Sequence, residues 1–189
     1  MSNKNTKFSN HRIEFSDSRS LSIIQNESVD LVVTSPPYPM IEMWDSLFTS
    51  LNPEIGDSLQ KLNGLKAFEL MNQELDKTWE ELARIVKESG FVCINIGDAT
   101  RKIGKQFQLY SNHSRITSKF IALGFQPLPI ALWKKATNAP NKFMGSGMLP
   151  AGAYITLEHE YILVFRKGGK REFTTFEEKK LRNQSAFFW

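Results

Sequence analysis

Two short apolar segments, separated by one amphipathic segment, place the strongest constraint on the fold. Val29–Val33 (VDLVV) and Phe91–Ile96 (FVCINI) are compact and rich in β-branched residues, which suits strands buried on both faces of a parallel sheet. From Phe68 to Val86, apolar residues recur at spacings of three and four, which predicts a helix over Phe68–Glu88. A strand, a helix and a strand in this order predict an α/β sheet with a right-handed crossover.

Weaker patterns extend this alternation in both directions. The further elements predicted are a strand over His11–Phe15, a helical turn over Leu21–Gln25, a helix over Ser114–Leu123, and strands over Leu128–Trp133 and Tyr154–Lys167. Residues 41–66 and 134–152 are rich in Gly, Pro, Asn, Ser and Lys and are predicted to be loops. The 189 residues are therefore expected to form one α/β domain.

Basic residues are concentrated in one part of the chain, although the net charge is only +4. No acidic residue lies between Asp98 and Glu158. The basic residues of that interval are Arg101, Lys102, Lys105, Arg115, Lys119, Lys134, Lys135 and Lys142. Because aromatic residues such as Phe107 and Trp133 are interleaved with them, the interval is typical of a nucleic-acid-binding surface. A solvated basic face is the alternative interpretation.

Other classes of protein are disfavoured by what the sequence lacks. A single cysteine, Cys93, excludes an internal disulfide and a cysteine-based zinc cluster. His113 and His159 lack the spacing of metal ligands, so no metal is predicted. No apolar run is long enough to span a bilayer, and residues 1–12 are polar rather than signal-peptide-like. We therefore expect a cytoplasmic protein without a membrane partner.

The segment Thr34–Tyr38 (TSPPY) directly follows the first predicted strand. Two consecutive prolines fix the backbone and remove two N–H donors, so the turn is rigid and presents bare carbonyl groups. The Ser35 hydroxyl and the Pro36 carbonyl can accept the two hydrogens of an exocyclic amine, and Tyr38 can stack on a planar ring. Residues 34–38, 97–105 and 134–140 all follow predicted strands, where open α/β sheets bind ligands. A rigid turn without chemistry is the alternative.

The sequence VVTSPPY resembles the signature of the DNA amino-methyltransferases. The form with Ser before Pro-Pro-Tyr resembles the cytosine-N4 branch, whereas the adenine-N6 branch more often has Asp there. Four further segments are similar, in the same order, to blocks of the beta-class members: IEFSDSRSL, WEELARIVKESGFVCINIGD, LPIALWKK and EHEYILVFRK. The chain is thus identified as a member of this family, by a resemblance that covers most of its length.

This resemblance implies methyl transfer from S-adenosylmethionine to cytosine N4 in double-stranded DNA, without a covalent enzyme intermediate. The target base would be flipped into the pocket. Ser35 and the Pro36 carbonyl would orient the amine, Pro37 would keep the turn rigid, and Tyr38 would stack on the base. Three alternatives remain open: adenine-N6 methylation, an inactive DNA-binding remnant, and an RNA methyltransferase.

The same resemblance suggests cofactor and DNA contacts. Asp17, Thr34 and Asp98 are the cofactor-binding candidates, although Asp17 is equally suited to capping the turn at Leu21 and Asp98 to capping a loop. The DNA-contact candidates are Arg101, Lys102, Lys105, Arg115, Lys134, Lys135 and Lys142. The predicted loop 134–152 is a further candidate for DNA contact.

One expected block is missing from the sequence. The family also carries a glycine-rich turn, Asp-x-Phe-x-Gly-x-Gly, which in beta-class members follows the segments found here. Gly145-Ser146-Gly147 has no buried strand before it and is not that turn. We therefore expect an incomplete Rossmann-like methyltransferase sheet with helices on both faces. Residues 1–189 would be the catalytic-motif portion, either a fragment or one chain of a split enzyme, and a second chain would supply the cofactor-binding half.

Overall fold

The computed structural model describes residues 9–135 and 157–183. The strands are β1 (Val29–Thr34), β2 (Val86–Ile96), β3 (Ala99–Ile103), β4 (Gln106–Tyr110), β5 (Phe125–Pro127), β6 (Ala131–Lys134) and β7 (His159–Lys167). The helices are α1 (Asp45–Leu51), α2 (Pro53–Gln60), α3 (Gly64–Ile85), α4 (Asn112–Ala122) and α5 (Phe176–Asn183), and a 3-10 turn covers Glu42–Trp44. None of the described helices combines the length and the apolar character that crossing a membrane requires.

Five strands form the main sheet, in the order β1-β2-β7-β5, and β6 also pairs with β7. β1 and β2 are parallel and are connected through α3, whereas β7 is antiparallel to β2, β5 and β6. β3 and β4 form a separate two-stranded hairpin. The predicted α/β sheet and its helical crossover are therefore confirmed.

Helices α3 and α4 cover one face of the sheet. Trp79 of α3 contacts Phe120 of α4 with ring centroids 5.5 Å apart, and Phe120 stacks on Phe165 of β7 at 4.3 Å. Val92 and Ile94 of β2 are buried on this face. Burial of these large apolar side chains is the main stabilising contribution to the fold.

The opposite face of β1 and β2 exposes apolar side chains. The strand register pairs Leu31 with Phe91 and Val33 with Cys93, which places all four on that face. Leu31 is 54% exposed, Val33 73% and Phe91 37%. No described helix covers this part of the sheet, and β2 is the only described strand that pairs with β1.

The expectation that residues 41–66 form a loop is wrong. This segment contains the 3-10 turn, α1, α2 and the start of α3. Asn52 accepts a hydrogen bond from the Glu54 N–H and precedes Pro53, and Asn63 accepts one from the Lys66 N–H. The Asn and Pro residues that suggested a loop therefore mark helix starts.

Residues 99–105 form β3 and the two-residue turn Gly104-Lys105 that leads into β4. Gly104 has a φ of 59°, which a turn of this kind requires. His11–Phe15 forms no strand. At the predicted helical turn over Leu21–Gln25 the structure has a single turn, in which the Ile24 N–H donates to the Leu21 carbonyl at 2.8 Å.

The predicted strand Leu128–Trp133 is interrupted. β5 ends at Pro127 and β6 begins at Ala131. Leu128 still donates a hydrogen bond to the Val164 carbonyl at 2.8 Å, but Pro127 and Pro129 have no N–H to donate to the ladder. Of the predicted strand Tyr154–Lys167, the structure describes β7, and residues 154–156 lie outside the described ranges.

Side-chain clamps hold the segment before β1 against α3. Arg84 donates to the Leu21 carbonyl at 2.9 Å and to the Ile24 carbonyl at 3.0 Å. Glu81 accepts a hydrogen bond from the Leu21 N–H at 2.7 Å.

Lys167 of β7 donates to the carbonyls of Ala83 and Val86 at the carboxyl end of α3, each at 2.9 Å, where a positive charge is favourable.

Candidate functional site

The TSPPY segment lies where the carboxyl ends of β1 and β2 meet. The ring of Tyr38 packs against Gly97, at which a Cβ would lie 3.1 Å from Tyr38 Cε2. Asn112, the first residue of α4, donates to the Pro39 carbonyl at 3.1 Å and to the Gly97 carbonyl at 2.9 Å. The turn is therefore fixed by the end of β2 and by the start of α4, and Ser35 remains exposed.

Five polar side chains form a connected group around the hydroxyl of Tyr38, and we name them the Tyr38 cluster: Ser35, Tyr38, Asn95, Lys135 and Glu160. Tyr38 Oη lies 3.3 Å from Ser35 Oγ, accepts a hydrogen bond from Asn95 Nδ2 at 2.9 Å, and donates one to Glu160 Oε2 at 3.2 Å. Asn95 Nδ2 also donates to Glu160 Oε2 at 2.7 Å, and Lys135 Nζ lies 3.2 Å from Glu160 Oε1. The turn after β1, the strands β2 and β7, and the end of β6 thus contribute to one hydrogen-bonded group.

The electrostatics of the cluster favour an ionised carboxylate beside a neutral phenol. Burial, together with the nearby Glu160 carboxylate, raises the pKa of Tyr38. Burial alone disfavours the charged form of Glu160, but hydrogen bonds from Asn95 and Lys135 outweigh it and lower the pKa of Glu160. The buried Asn95 Oδ1 has no hydrogen-bond partner among the described residues, so the cluster retains the capacity to accept one more donor.

Asn95 and Glu160 are site residues that the sequence interpretation missed. Asn95 is a polar residue inside the apolar run FVCINI, and this interruption is a signal that could have indicated it, because a buried polar side chain requires a partner. Glu160 lies beside His159 at the polar start of β7, so its sequence context carries no such signal.

A cleft of about 410 Å³ lies between the TSPPY turn and α3, a size found for small-molecule sites. Its lining combines hydroxyl groups with apolar side chains. The lining residues include Ser18, Thr34, Ser35, Pro36, Thr78 and Trp79. The structure therefore brings Ser35, Pro36, Pro37 and the cofactor candidate Thr34 to one cleft.

Asp17 and Asp98 have partners within the protein. Asp17 is exposed and accepts hydrogen bonds from the backbone and side chain of Arg19, and these bonds lower the pKa of Asp17. Asp98 is buried and accepts from the His113 N–H at 3.1 Å and contacts His113 Nδ1 at 2.8 Å. Its carboxylate therefore caps the start of α4. Within the described ranges, no three His, Cys, Asp or Glu side chains are grouped so that they could hold a metal ion.

The candidate DNA contacts separate into two groups. Arg101 forms a bidentate ion pair with Asp45 at 2.8 and 2.6 Å, Arg115 pairs with Glu69 and Asp76, and Lys135 pairs with Glu160. Lys102, Lys105 and Lys134 are exposed and form no ion pair with another described residue. Lys142 and most of the predicted 134–152 loop lie outside the described residues.

Two relatives that match most of this chain are both Type II methyltransferases. The Type II methyltransferase M.MthZI of Methanothermobacter thermautotrophicus is 56% identical over 180 residues, which are 95% of this chain and 51% of that protein. The Type II methyltransferase M.MjaI of Methanocaldococcus jannaschii is 49% identical over 189 residues, which cover 94% of this chain and 62% of that protein. The chain therefore spans between half and two thirds of the length of these two relatives.

A solved structure agrees with the fold. TTHA0409 from Thermus thermophilus, described as a DNA modification methylase, is 29% identical and superposes with a TM-score of 0.63 over 90% of this chain and 60% of that one. Its complex with S-adenosyl-L-methionine gives a TM-score of 0.62 over 87% of this chain and 58% of that one.

The family model of the N6 and N4 DNA methylases matches residues 29–186, which include the TSPPY turn, the Tyr38 cluster and every strand of the main sheet. With these matches and this geometry, the chain belongs to the DNA methylase family.

Proposed function

We propose that the chain is the target-base portion of an S-adenosylmethionine-dependent DNA methyltransferase that methylates cytosine N4. The observation that supports this most directly is the exposed Ser35 hydroxyl, which lines the cleft together with Pro36 and Pro37 and lies 3.3 Å from the hydroxyl of Tyr38. A planar base stacked on Tyr38 places its exocyclic amine within reach of Ser35 Oγ and the Pro36 carbonyl. Both groups accept hydrogen bonds, so they orient the two amine hydrogens and direct the nitrogen lone pair away from the turn.

The cleft fits the methyl donor in its chemistry. S-adenosylmethionine, when bound, supplies the sulfonium methyl group. Thr34 and Ser18 contribute hydroxyl groups for its polar parts, and Trp79 with its apolar neighbours excludes water from this side of the turn. These residues position the reactants, and none of them forms a covalent bond to the base.

Cytosine is preferred over adenine in this proposal because the residue before Pro-Pro-Tyr is Ser35. A carboxylate at this position, as the adenine-N6 branch more often has, would accept amine hydrogens with a full negative charge. Adenine-N6 methylation is the second candidate, since a serine hydroxyl accepts a hydrogen bond from either amine.

We also propose that a further part of the enzyme, in the same polypeptide or in a second chain, covers the exposed face of β1 and β2 and supplies the glycine-rich turn. The matched relatives are longer than this chain. Leu31, Val33 and Phe91 expose apolar surface there, and β1 has an open edge among the described strands. An apolar face with an open edge is suited to pairing with additional strands.

The test is methyl transfer from labelled S-adenosylmethionine to unmethylated genomic DNA, followed by nucleoside separation. The chain is assayed alone and with a polypeptide that carries the missing glycine-rich block. We expect label in N4-methylcytosine, with little transfer by the chain alone. Label in N6-methyladenine would show that adenine rather than cytosine is the target base, with the same mechanism of transfer. Absence of label from the folded, combined parts would leave the inactive DNA-binding remnant as the better description. Label obtained only when RNA replaces DNA in the assay would favour an RNA methyltransferase.

A variant series connects the activity to the turn. Ser35→Ala removes one positioned acceptor and is expected to lower kcat roughly 100-fold, the scale of one such polar contact, while DNA affinity changes little. Ser118→Ala, on the exposed side of α4, is the matched control and should retain full activity. Equal activity of Ser35→Ala and the control would contradict the proposed role of the turn.

A further inference from the structure

The Tyr38 cluster contains one group that the proposed function does not use, the carboxylate of Glu160. Glu160 is the second residue of β7, and its side chain is 18% exposed. It reaches the hydroxyl group of Tyr38 from a strand that is 122 residues away in the chain. Lys135 pairs with Oε1, while Asn95 and Tyr38 both donate to Oε2. Without these contacts, a largely buried carboxylate would cost free energy.

The chemical types of the partners determine the direction of each hydrogen bond. An ionised carboxylate can only accept, and the amide NH₂ of Asn95 can only donate. The one hydrogen of the Tyr38 hydroxyl therefore points to Glu160. Tyr38 Oη is left with lone pairs, of which one receives Asn95 and one faces Ser35 Oγ.

The direction of the hydrogen bond from Tyr38 to Glu160 also determines the direction of the hydrogen bond between Ser35 and Tyr38. Since Tyr38 has no second hydrogen to give, the hydroxyl of Ser35 must be the donor across the 3.3 Å contact. That distance is longer than the usual 2.7–2.8 Å, and contacts of this kind often shorten when substrate binds. With its hydrogen directed at Tyr38, Ser35 presents only lone pairs toward the cleft.

We propose that Glu160 is a positioning residue, which orients the hydroxyl groups of Tyr38 and Ser35 so that Ser35 offers an acceptor to the amine of the target base. This inference rests on the proposed function. It adds that the Ser35 hydroxyl is held as an acceptor toward the amine. A Ser35 hydroxyl free to rotate could also point its hydrogen at the nitrogen lone pair that must attack the methyl group. The ion pair with Lys135 and the hydrogen bond from Asn95 keep Glu160 in the acceptor-only form.

Glu160→Gln is the first test. An amide has nearly the same shape as the carboxylate but can also donate hydrogen bonds, so it can reverse the donor and acceptor roles at Tyr38 and Ser35. Methyl transfer is measured as above, with kcat and KM for DNA determined separately. We expect kcat to fall roughly 10- to 100-fold, the scale of losing one hydrogen bond to a charged group, and KM to change less than about twofold. Glu172→Gln, at an exposed site outside the cluster, should match the parent enzyme. An unchanged kcat in Glu160→Gln overturns the proposal.

A double-variant cycle separates positioning through Tyr38 from a general effect on stability. Tyr38→Phe keeps the stacking ring and removes the hydroxyl that links Glu160 to Ser35. If Glu160 acts through that hydroxyl, the double variant should be no slower than the slower single variant. Multiplied losses in kcat would mean that Glu160 acts by another route, and would overturn the inference. Because Tyr38→Phe alone must also lower kcat on this account, the proposal stays testable even if Glu160→Gln folds poorly.

A readout without catalysis distinguishes failure of this inference from failure of the proposed function. Tyrosine labelled with ¹³C at Cζ gives one signal for each tyrosine, and Tyr38→Phe assigns the signal of Tyr38. In Glu160→Gln, the titration of Tyr38 should move to lower pH, whereas that of the buried Tyr110 should not. If the chain combined with the polypeptide that carries the glycine-rich block transfers no methyl group but Tyr38 shows this shift, the cluster is intact and the proposed function is rejected. An unmoved Tyr38 titration would reject the inference whatever the activity.

Discussion

At the scale of single residues, two charged side chains of α3 hold the segment before β1 in place. Glu81 accepts hydrogen bonds from Arg84 and from the Leu21 N–H, and Arg84 binds two carbonyls of the segment before β1. These contacts substitute for regular secondary structure, because the segment has no strand or helix of its own. The same residues therefore determine how the chain enters β1.

The carboxylate of Glu81 should make stability depend on acid pH. Hydrogen bonds from Arg84 and Leu21 lower the pKa of Glu81 to about 2, below that of the unfolded chain. Its contribution is present above about pH 4.5 and is lost as the pH falls toward 2. Since the side chain is partly exposed, we expect about 1 kcal/mol rather than the full shift. Glu81→Gln should lower the free energy of unfolding at pH 7 by that amount in urea titrations.

The control for this prediction is Glu172→Gln at an exposed position, which should leave the free energy of unfolding at pH 7 unchanged. A second check is the slope of the unfolding free energy between pH 4.5 and 2, which should be shallower in Glu81→Gln than in the parent chain. Parallel curves for the two proteins would show that Glu81 is not the group responsible.

Ser35 and Tyr38 could be predicted from the sequence because they are neighbours in one rigid turn. The contacts of Asn95 and Glu160 with Tyr38 could not be predicted, since they depend on the strand register, which pairs Asn95 with Ile162 and Ile96 with Tyr161. The ion pairs of Arg101 and Arg115 were equally invisible, because their partners Asp45 and Glu69 lie on helices of other segments. A count of basic residues along the chain cannot show which of them are already neutralised.

At the scale of elements, the β3–β4 hairpin packs against the start of α3. Gly64 is the first residue of α3, and a Cβ there would lie 2.1 Å from Tyr110 Oη and 3.2 Å from Ile103 Cγ1. The phenol of Tyr110 is buried, so it has little space to move away. A residue without a side chain is thus required for the close approach of the helix to the hairpin.

Gly64→Ala should destabilise the protein by roughly 1–3 kcal/mol, the usual cost of overpacking, even though alanine favours helices. Thermal unfolding followed by circular dichroism would measure the change. Gly169→Ala is the matched control, since nothing lies within 4 Å of a Cβ at that position. Combining Gly64→Ala with Tyr110→Phe removes the clashing oxygen and should recover part of the loss. Failure of that rescue would place the strain elsewhere.

Element types were predictable where one periodicity dominates, as in α3 and the two flanking strands. Prediction failed for residues 41–66 because Asn52, Pro53 and Asn63 occur both in loops and at helix starts, and local composition does not distinguish these. The hairpin was missed because its two strands have only five residues each, and the buried and exposed sides of such short strands can be assigned only once their pairing is known.

At the scale of the whole molecule, the distribution of ion pairs reduces the charge available to a polyanion. The basic interval contains eight cationic side chains, but Arg101, Arg115, Lys119 and Lys135 pair with acidic residues of the protein. Of the remaining four, Lys102, Lys105 and Lys134 form no ion pair with another described residue, and Lys142 lies outside the described ranges. The electrostatic part of DNA binding should therefore be weaker than the sequence suggests.

We expect the logarithm of DNA affinity to fall with the logarithm of salt concentration with a slope of roughly −3.6, at about −0.9 for each of four neutralised phosphates. Fluorescence anisotropy on a labelled duplex at several salt concentrations measures it. Lys102→Gln and Lys105→Gln should each reduce the slope by about 0.9, whereas Arg115→Gln should not. A slope near −7 would mean that the internal ion pairs exchange for phosphate contacts.

The exposed apolar face of β1 and β2 should bind a hydrophobic dye such as ANS. Replacing both Leu31 and Val33 with Ser should lower the dye fluorescence markedly, because these side chains are 54% and 73% exposed. Leu65→Ser is the control, since Leu65 is 66% exposed but lies on α3. Addition of the polypeptide with the glycine-rich block should also lower the signal. Weak fluorescence from the parent chain would show that the face is already covered.

The position of β7 also bears on how the protein is made. β7 is the last described strand of the sheet in chain order, yet it pairs with β2, β5 and β6. During synthesis β2 leaves the ribosome about 70 residues before β7 is complete, a delay of roughly 4–14 s at ~5–20 residues per second. In that interval the nascent chain holds apolar strands without their common neighbour. The cell must therefore keep a half-made sheet from aggregating, and a stop in translation before residue 159 would leave a product that chaperones and proteases recognise as unfolded.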